Sequence, residues 1–285
     1  MRNRQSAGLL PLRLLRLLLL LCLVATGAGR PRVLRAGDAG AANALVAALR
    51  DGFPATLRGL AAALSGNFFK LYLSDQRNMI KGVTARPYGT RVLLSDVLDV
   101  LDAAVEEGRC RHLFCRRFIY PRISALRVPS LARGIGAFEA SGFIGRTGRL
   151  RPMFRVSWQR LRWGMHYDNH CNTVVQLKGT KTWRFLRPGS VIARETLESD
   201  PNTPGYRHGM VDLFEDDDVW ARETVVEDAG AMEITLHEGD MLLVPRGWVH
   251  AVQTREEFAA SVNWFYECGG GEDYVRASYE GFGPG

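Results

Sequence analysis

Several features that would place a chain in a broad class at once are missing from this sequence. Neither a Gly-x-Gly-x-x-Gly nor a Gly-Lys-Ser/Thr arrangement occurs, so the two common phosphate-binding loops are absent. No segment repeats along the chain, and no apolar run reaches the roughly 20 residues that a membrane-spanning helix needs. The sequence therefore predicts neither a nucleotide-binding fold of those types, nor a solenoid, nor a stable membrane span.

Cysteine is also scarce, and the chain has five: Cys22, Cys110, Cys115, Cys171 and Cys268. The Cys-x4-Cys pair at positions 110 and 115 has no second pair to complete a structural zinc site. Spacing does not fix which cysteines are bonded, so two interpretations stay open. Either Cys110 and Cys115 form a disulfide in an oxidising compartment, or the four cysteines after Cys22 are reduced and packed.

Acidic residues and lysine are absent from the first 36 residues, which carry seven arginines. Those arginines account for the whole formal net charge of +7, so the rest of the chain is close to neutral and no nucleic-acid-binding face is predicted. An apolar run at 17–25 and small residues at 26–29 complete the layout of a secretory signal peptide, residues 1–28. We expect the secretory pathway lumen or secretion. A mitochondrial presequence and a short uncleaved anchor are the alternatives.

The character of the sequence changes twice after this leader. Residues 29–52 are rich in Ala, Gly and Arg and are predicted to be a linker, and residues 53–151 are predicted to form an N-terminal α/β portion that packs on a barrel. Within that portion Ser95 is an expected helix N-cap, and residues 113–120 are an expected strand. Five glycines between 134 and 148 are expected to form a loop.

From residue 152 onward, short apolar runs alternate with turn residues, which is typical of closed antiparallel β architecture. Eight runs are predicted as strands: 153–158, 165–168, 173–178, 181–186, 232–236, 241–244, 249–254 and 259–266. Gly179-Thr180 has the form of a two-residue hairpin turn. Residues 152–268 are thus predicted to be the barrel, with an insertion at 188–230 and a C-terminal tail at 269–285.

Two residues of this barrel are spaced as a pair of metal ligands. His166 and Asp168 are two positions apart, so on an extended strand both side chains leave the same face. A third ligand, His250, is expected from a distant strand. Two imidazoles and one carboxylate leave three coordination positions open and suit non-haem Fe(II).

Further residues at fixed distances from this pair carry a family resemblance. They are Asn172, Gly179, Lys181, Gly239, Asp240, Pro245 and Trp248, with an aromatic strand at 183–185 and a closing strand at 261–266. The set resembles the JmjC family of Fe(II)- and 2-oxoglutarate-dependent oxygenases, and most of all its small protein-hydroxylase branch. The resemblance implies a mostly β protein with an α/β N-terminal part, in which a double-stranded β-helix (a jelly-roll or cupin barrel) is flanked by helices.

The resemblance also implies roles for single residues. The three ligands named above would hold Fe(II), and Lys181 would bind the far carboxylate of the co-substrate 2-oxoglutarate. Lys181 shares strand parity with the aromatic residues of its strand, so it is expected to point inward with them. Asn172 and Asn263 would lie near the cofactor, although each also fits a hydrogen-bonded core amide.

One position departs from the family pattern. Trp163 stands three residues before His166, where the family often has a threonine or serine whose hydroxyl helps to hold the co-substrate. Ser157 and a tyrosine from the N-terminal half are the candidates to replace that hydroxyl. The departure puts the affinity for the co-substrate in question, but not the binding of iron.

The activity implied is hydroxylation of a protein side chain, in which 2-oxoglutarate is converted to succinate and CO2. A protein substrate is the expected partner, nucleic acid is not expected, and the sequence does not indicate an oligomeric state. Three alternatives stay open: a catalytically weak or inactive JmjC-fold binding module, a lysine demethylase, and a metal-binding cupin of other chemistry. The last would have no need for Lys181.

Overall fold

The computed structural model describes residues 30–34, 47, 50, 55–65, 68–74, 78–79, 86–96, 98, 112–118, 129–140, 152–158, 160–190, 197–199, 207–209, 211–215, 220 and 231–267. Before the predicted barrel these residues form β1 (Arg32–Leu34), α1 (Leu57–Ala63), β2 (Phe68–Ser74), β3 (Asn78–Met79), β4 (Arg86–Leu93), β5 (His112–Phe118) and α2 (Pro129–Ala140). The barrel region forms β6 (Met153–Trp158), β7 (Arg162–His166), β8 (Cys171–Lys178), β9 (Lys181–Leu186), β10 (Leu197–Ser199), β11 (Arg207–Gly209), β12 (Met232–Leu236), β13 (Met241–Val244), β14 (Val249–Thr254) and β15 (Phe258–Tyr266).

These strands form two sheets. The first has the order β1-β13-β8-β15-β6-β5-β2-β4, and the second has the order β10-β11-β7-β14-β9-β12. Every described pairing is antiparallel except that of β3 with β7. The predicted fold class, a mostly β double-stranded β-helix with an N-terminal α/β part, is confirmed.

Most barrel strands were predictable because they are buried over most of their length, although β12 has only one buried residue. All but one residue of β8 and of β9 is buried, so each strand appears in the sequence as an almost continuous apolar run. The predicted runs coincide with β6, β9, β12, β13 and β14 at both ends. The largest difference is at β7, which begins three residues before the predicted 165 and ends at His166.

The N-terminal portion is continuous with the first sheet. Strand β5 pairs with β6 from Leu113↔Trp158 to Phe118↔Met153, and β2 and β4 extend the same sheet outward. Strand β1 pairs with β13 at the opposite edge, so residues 32–34 of the predicted linker are an edge strand. Ser95 lies inside a helical stretch that already includes Leu94, so the expected N-cap is placed too late.

The prediction of a glycine-rich loop from 134 to 148 is wrong in its first part, because Gly134 and Gly136 lie in α2. Each glycine costs a helix roughly 1 kcal/mol relative to alanine. Burial offsets this cost, since Ile135 is fully buried and Gly134 beside it is buried as well. The remaining glycines of this segment, at 142, 145 and 148, lie outside the described residues.

An ion pair holds the insertion against the barrel. The buried Arg162 side chain at the start of β7 contacts Asp212 Oδ2 at 2.9 Å and Glu215 Oε1 at 2.6 Å, and its guanidinium lies 5.9 Å from the ring centre of Phe214. A buried guanidinium needs such partners, because an unpaired charge inside the protein costs several kcal/mol. Two acids of the insertion therefore anchor it beside β7.

Cys171 is fully buried at the start of β8 and is disulfide-bonded. The interpretation in which all four cysteines after Cys22 are reduced is therefore wrong. Disulfides persist in oxidising compartments. The lumenal destination stays a prediction. No helix in the described part of the chain is both long and apolar enough to cross a bilayer.

The predicted turn between β8 and β9 depends on Gly179, which has φ of +66°. Its N–H donates a hydrogen bond to Glu238 Oε1 at 3.0 Å, and a Cβ at this position would overlap the carbonyl oxygen of Phe258. Both the backbone angle and the close approach of β15 therefore require glycine.

We expect Gly179→Ala to lower the free energy of unfolding by about 2–4 kcal/mol, because it adds left-handed strain to a steric overlap. Gly136→Ala in α2 is the matched control. A Cβ there meets no atom within 4 Å, and alanine should stabilise the helix by about 0.5–1 kcal/mol. Urea unfolding of the three proteins measures both effects, and equal stabilities for the two variants would contradict this account of the turn.

Candidate metal centre

Three side chains from two neighbouring strands and one loop converge on a single point. His166 ends β7, and its Cα is in register with that of His250 on the adjacent strand β14. Asp168 follows in the loop after β7, and its Oδ2 lies 3.7 Å from Nε2 of His250. One ligand atom from each of the three residues lies within 4.8 Å of the others, which is close enough for all three to bind one ion.

The backbone fixes which nitrogen each histidine presents. His166 Nδ1 lies 2.8 Å from the carbonyl oxygen of Gly164, and His250 Nδ1 lies 2.9 Å from that of Trp248. A carbonyl oxygen can only accept, so each Nδ1 carries the proton and donates it. Nε2 is therefore the unprotonated nitrogen in both rings, which is the form that binds a metal ion.

The same two histidines are buried and resist protonation. Burial lowers the pKa of His166 well below its ordinary value, and the nearby His250 and His208 lower it further. Burial also lowers the pKa of His250, although the carboxylate of Asp168 acts in the opposite direction. Neutral imidazoles at physiological pH are the state that ligation of a divalent cation needs.

Asp168 lies in a loop and not, as its spacing had predicted, on the strand of His166. The loop follows β7, and the carbonyl oxygen of Asp168 accepts a hydrogen bond from the N–H of Gly247 at 3.0 Å. Strand parity therefore does not orient its side chain. The pairing of β14 with β7 also shifts register between His250 and Val252, as is common where a sheet aims a functional side chain.

Aromatic side chains surround the histidines. The two imidazole centres are 4.3 Å apart, and Trp163 packs edge-on against His166 at 6.4 Å. Trp183 and Phe185, on the inward face of β9, lie 5.4 and 5.8 Å from His250. These rings limit the positions that the imidazoles can take.

A cavity between the two sheets adjoins this centre and contains the predicted lysine. The tryptophans at 163 and 183 line it, and so does Lys181, which is buried on the same face of β9 as Trp183. Lys181 Nζ donates a hydrogen bond to Ser261 Oγ at 3.1 Å. Its pKa falls from 10.5 to about 7, first because it is buried and then because Arg155 is close. No carboxylate in the described part of the chain counteracts this fall.

Hydroxyl groups line the same cavity near the lysine. Ser157 Oγ and Thr254 Oγ1 are hydrogen-bonded to each other at 2.6 Å, and Thr254 is in register with Lys181 across the β14–β9 pair. Trp163, at the position where the family often has a hydroxyl, is buried and lines the cavity with its ring. The cavity thus has hydroxyls, but on other strands than the family pattern places them.

The two predicted asparagines are close to each other and linked to the lysine. Asn263 Nδ2 lies 3.4 Å from Asn172 Oδ1, and Ser261 Oγ lies 3.3 Å from Asn263 Oδ1. A chain of polar contacts therefore runs from Lys181 through Ser261 and Asn263 to Asn172. Asn263 also lines the cavity, whereas Asn172 is not among its lining residues.

His208 also lies at this centre, and sequence reasoning missed it. Strand β11 of the insertion pairs with β7 so that the Cα of His208 is opposite that of His166, and the two rings stack at 6.0 Å. No motif marks it, because its position depends on the path of the insertion. His170, four residues after His166, lies with its Nε2 3.1 Å from Glu267 Oε1 and is outside the ligand group.

Comparison with known proteins adds a family match. A sequence model of the family described as "Cupin-like domain" matches residues 126–269, which cover the barrel and the candidate centre. One relative is the bifunctional lysine-specific demethylase and histidyl-hydroxylase NO66 of Caenorhabditis elegans. It is 32% identical over 89 aligned residues, which cover 31% of this chain and 10% of that protein.

A second relative is the tRNA wybutosine-synthesizing protein 4 of Aspergillus oryzae, 23% identical over 51% of this chain and 13% of that protein. The chain thus spans about a tenth of the length of these two curated relatives. Among solved structures, the X-ray structure of E. coli ycfD is 16% identical, with a TM-score of 0.45 over 84% of this chain and 50% of that one.

Proposed function

Since the chain belongs to the family of cupin-like domains of the JmjC type, we propose that it is an Fe(II)- and 2-oxoglutarate-dependent oxygenase that hydroxylates a protein side chain. One observation carries the proposal above the others. The buried ammonium group of Lys181 has a hydroxyl but no described carboxylate as partner, and it lies in the cavity beside the three convergent ligands. A buried charge of this kind needs an anion, and the carboxylate of a bound co-substrate would supply it.

The three predicted metal ligands are also of the types that bind Fe(II). His166, Asp168 and His250 offer two neutral imidazole nitrogens and one carboxylate, the set that non-haem Fe(II) oxygenases use, and they leave positions open. Iron bound there would supply the reaction of O2 with 2-oxoglutarate, in which one oxygen atom enters succinate as CO2 leaves and the other oxidises a C–H bond of the substrate to C–OH.

The protein's own residues would bind, orient and exclude water. The carbonyl oxygens of Gly164 and Trp248 keep the two imidazoles in the metal-binding tautomer. Lys181 would hold the far carboxylate of 2-oxoglutarate, assisted by the hydroxyl groups beside it. Trp163 and Trp183 each contact one of the histidines and also line the cavity that contains Lys181, so their apolar rings would help to keep water away from the reacting atoms.

A protein is the substrate class that we favour. One relative is named as a lysine-specific demethylase and histidyl-hydroxylase and the other as a tRNA wybutosine-synthesizing protein, so the relatives alone do not decide between protein and RNA. Outside the first 36 residues the chain is close to neutral. Recognition of a polyanion depends on clustered positive charge, and a near-neutral body therefore favours a protein substrate.

The second candidate is a JmjC-fold binding module with little or no turnover. Trp163 supports it, because a buried indole replaces the small hydroxyl residue that often contacts the co-substrate in this family. A lysine demethylase is a third candidate and differs only in the C–H bond that is oxidised.

Uncoupled turnover tests the proposed activity without knowledge of the substrate. We expect the protein lacking residues 1–28 to convert 2-oxoglutarate to succinate in the presence of Fe(II) and ascorbate, at a rate at least tenfold above that of samples without iron. Succinate can be quantified by mass spectrometry. A protein that binds iron and 2-oxoglutarate but forms no succinate would favour the binding module. A protein that binds iron but not 2-oxoglutarate would contradict the proposal.

A further inference from the structure

Lys181 is a buried amine with the properties of a nucleophile. The residue is 4% exposed, and its Nζ donates a hydrogen bond to the neutral hydroxyl of Ser261 at 3.1 Å. Since its pKa is about 7, a large share of the amine is unprotonated at physiological pH while no anion is bound beside it. An unprotonated lysine has a free electron pair and reacts with electrophilic carbon, whereas an exposed lysine stays protonated and inert.

Trp183 lines the same cavity, and its indole N–H has no acceptor. Trp183 is 2% exposed, and its Nε1 is without a hydrogen-bond partner among the described residues. It stands two residues after Lys181 on β9, so both side chains leave the same face of the strand. Buried N–H groups are almost always paired, because leaving one unpaired lowers stability. This donor therefore indicates that the cavity binds a group with an acceptor oxygen.

Hydroxyl groups complete a set of neutral donors around the amine. Ser157 on β6 and Thr254 on β14 are hydrogen-bonded to each other between the two sheets, and Ser261 on β15 lies beside Nζ. Only one hydroxyl of the first pair can donate to the other, so the second has a proton for a further acceptor. No carboxylate is among the described residues that line the cavity. A small anion formed there would meet donors and no negative group.

We propose that Lys181 is a site of reversible carbamylation, in which CO2 adds to the amine and the indole N–H of Trp183 and the neighbouring hydroxyls bind the product. The electron pair of Nζ forms a bond to the carbon of CO2, and one C=O electron pair moves onto oxygen. Nζ then releases one proton to the solvent. No electrons are gained or lost, and no reactant other than CO2 is needed. The product is a planar carbamate anion with two acceptor oxygens.

This modification site goes beyond the proposed function and does not depend on iron. It does affect that function, because a carbamate replaces the positive charge of Lys181 with a negative one. A carboxylate of 2-oxoglutarate could not bind beside it, since the two anions would repel each other and compete for the same donors. CO2 and the co-substrate should therefore exclude each other from the cavity.

NMR of the purified protein in isotope-labelled bicarbonate, without added metal, tests the proposal. We expect one carbamate resonance per chain, separate from those of CO2 and bicarbonate and absent from Lys181→Met. Trp183→Phe retains an aromatic ring but removes the N–H, and it should weaken carbamate formation about 10- to 100-fold. Lys178→Met is the control, because Lys178 is paired with Glu238 outside the cavity and its loss should leave the resonance unchanged.

Chemical trapping locates the modification in wild type, so the result does not depend on the folding of any variant. A trialkyloxonium salt converts a carbamate to an ester that survives digestion, and peptide mass spectrometry then identifies the lysine that carries it. The mass of the ester should be found on Lys181. No trapped ester on Lys181, or trapping only on other lysines, would overturn the proposal. An equal resonance in wild type and Trp183→Phe would overturn the role of the indole N–H.

Competition with 2-oxoglutarate distinguishes this inference from the proposed function. Addition of 2-oxoglutarate with Mn(II) should remove the carbamate resonance of wild type. If wild type binds 2-oxoglutarate but forms no carbamate, the inference is wrong and the proposed function stands. If the carbamate forms and 2-oxoglutarate does not bind even in the absence of CO2, the modification site stands and the proposed function is wrong.

Discussion

Alanine in place of His166 or Asp168 is expected to abolish the binding of one Mn(II) or Fe(II) per chain. Each substitution removes one of three protein ligands, and the two that remain cannot hold a labile divalent ion against buffer. We expect the affinity to fall by more than about 100-fold, since even the outer hydrogen-bond partners of metal ligands contribute 10–100-fold. Titration of Mn(II) followed by electron paramagnetic resonance measures this directly.

Tyr167→Phe is the matched control, because Tyr167 stands between the two ligands in sequence but packs in a different direction. Its ring lies in the cluster formed by Met165, Leu186 and Leu213. This variant should bind one Mn(II) with an affinity like that of wild type. Equal metal content in wild type, His166→Ala and Asp168→Ala would show that these residues are not the ligands.

The second large effect is expected at Lys181. Lys181→Met keeps the length and apolar volume of the side chain but removes its charge, so the far carboxylate of 2-oxoglutarate would enter the cavity without this partner. We expect the Kd of 2-oxoglutarate to rise by about 100-fold or more, while Mn(II) binding changes little. Lys178→Met is the control, since Lys178 lies across the same turn and pairs with Glu238 at the surface. If Lys181→Met bound 2-oxoglutarate normally, Lys181 would have only a structural role.

Lys181→Met should also be more stable than wild type when no ligand is bound. The pKa of Lys181 is about 7 in the folded protein and near 10.5 in the unfolded chain, so the unfolded state holds more protons between these values. The cost of the buried charge is therefore complete below pH 7 and disappears as the pH rises towards 10.5. Urea unfolding at pH 6 should favour Lys181→Met by a few kcal/mol, and by pH 10 the difference should shrink towards zero. A difference that does not change with pH would contradict the lowered pKa.

The barrel could be predicted from sequence because burial on both faces makes strands such as β8 and β9 apolar runs with a turn residue at their ends. Helix α2 could not, since Gly134 and Gly136 are typical of loops and their cost is offset by the burial of Ile135, which depends on tertiary contacts. The fold of the N-terminal portion was predicted only coarsely. Nothing in the sequence indicates that β5, β2 and β4 continue the barrel sheet.

The candidate centre could also be predicted only in part, because sequence spacing identified some of its residues whereas tertiary contacts set the positions of others. The spacing of His166 and Asp168 pointed to a ligand pair, but Asp168 lies in a loop and its orientation comes from contacts with the segment at Gly247. His208 was overlooked because only the path of the insertion brings it beside His166.

The hydrogen bonds from the two imidazoles to Gly164 and Trp248 have a consequence for iron supply. Each bond joins a histidine to a carbonyl two residues earlier in its own segment, and both segments belong to a hydrogen-bonded sheet. The ligands are thus arranged by the fold itself and not by the ion, unlike those of small domains that unfold when zinc is removed. On the proposed function, the polypeptide should survive iron starvation intact and regain activity on resupply without new synthesis. Its output would then follow the local concentration of free iron, independently of how much protein the cell has made.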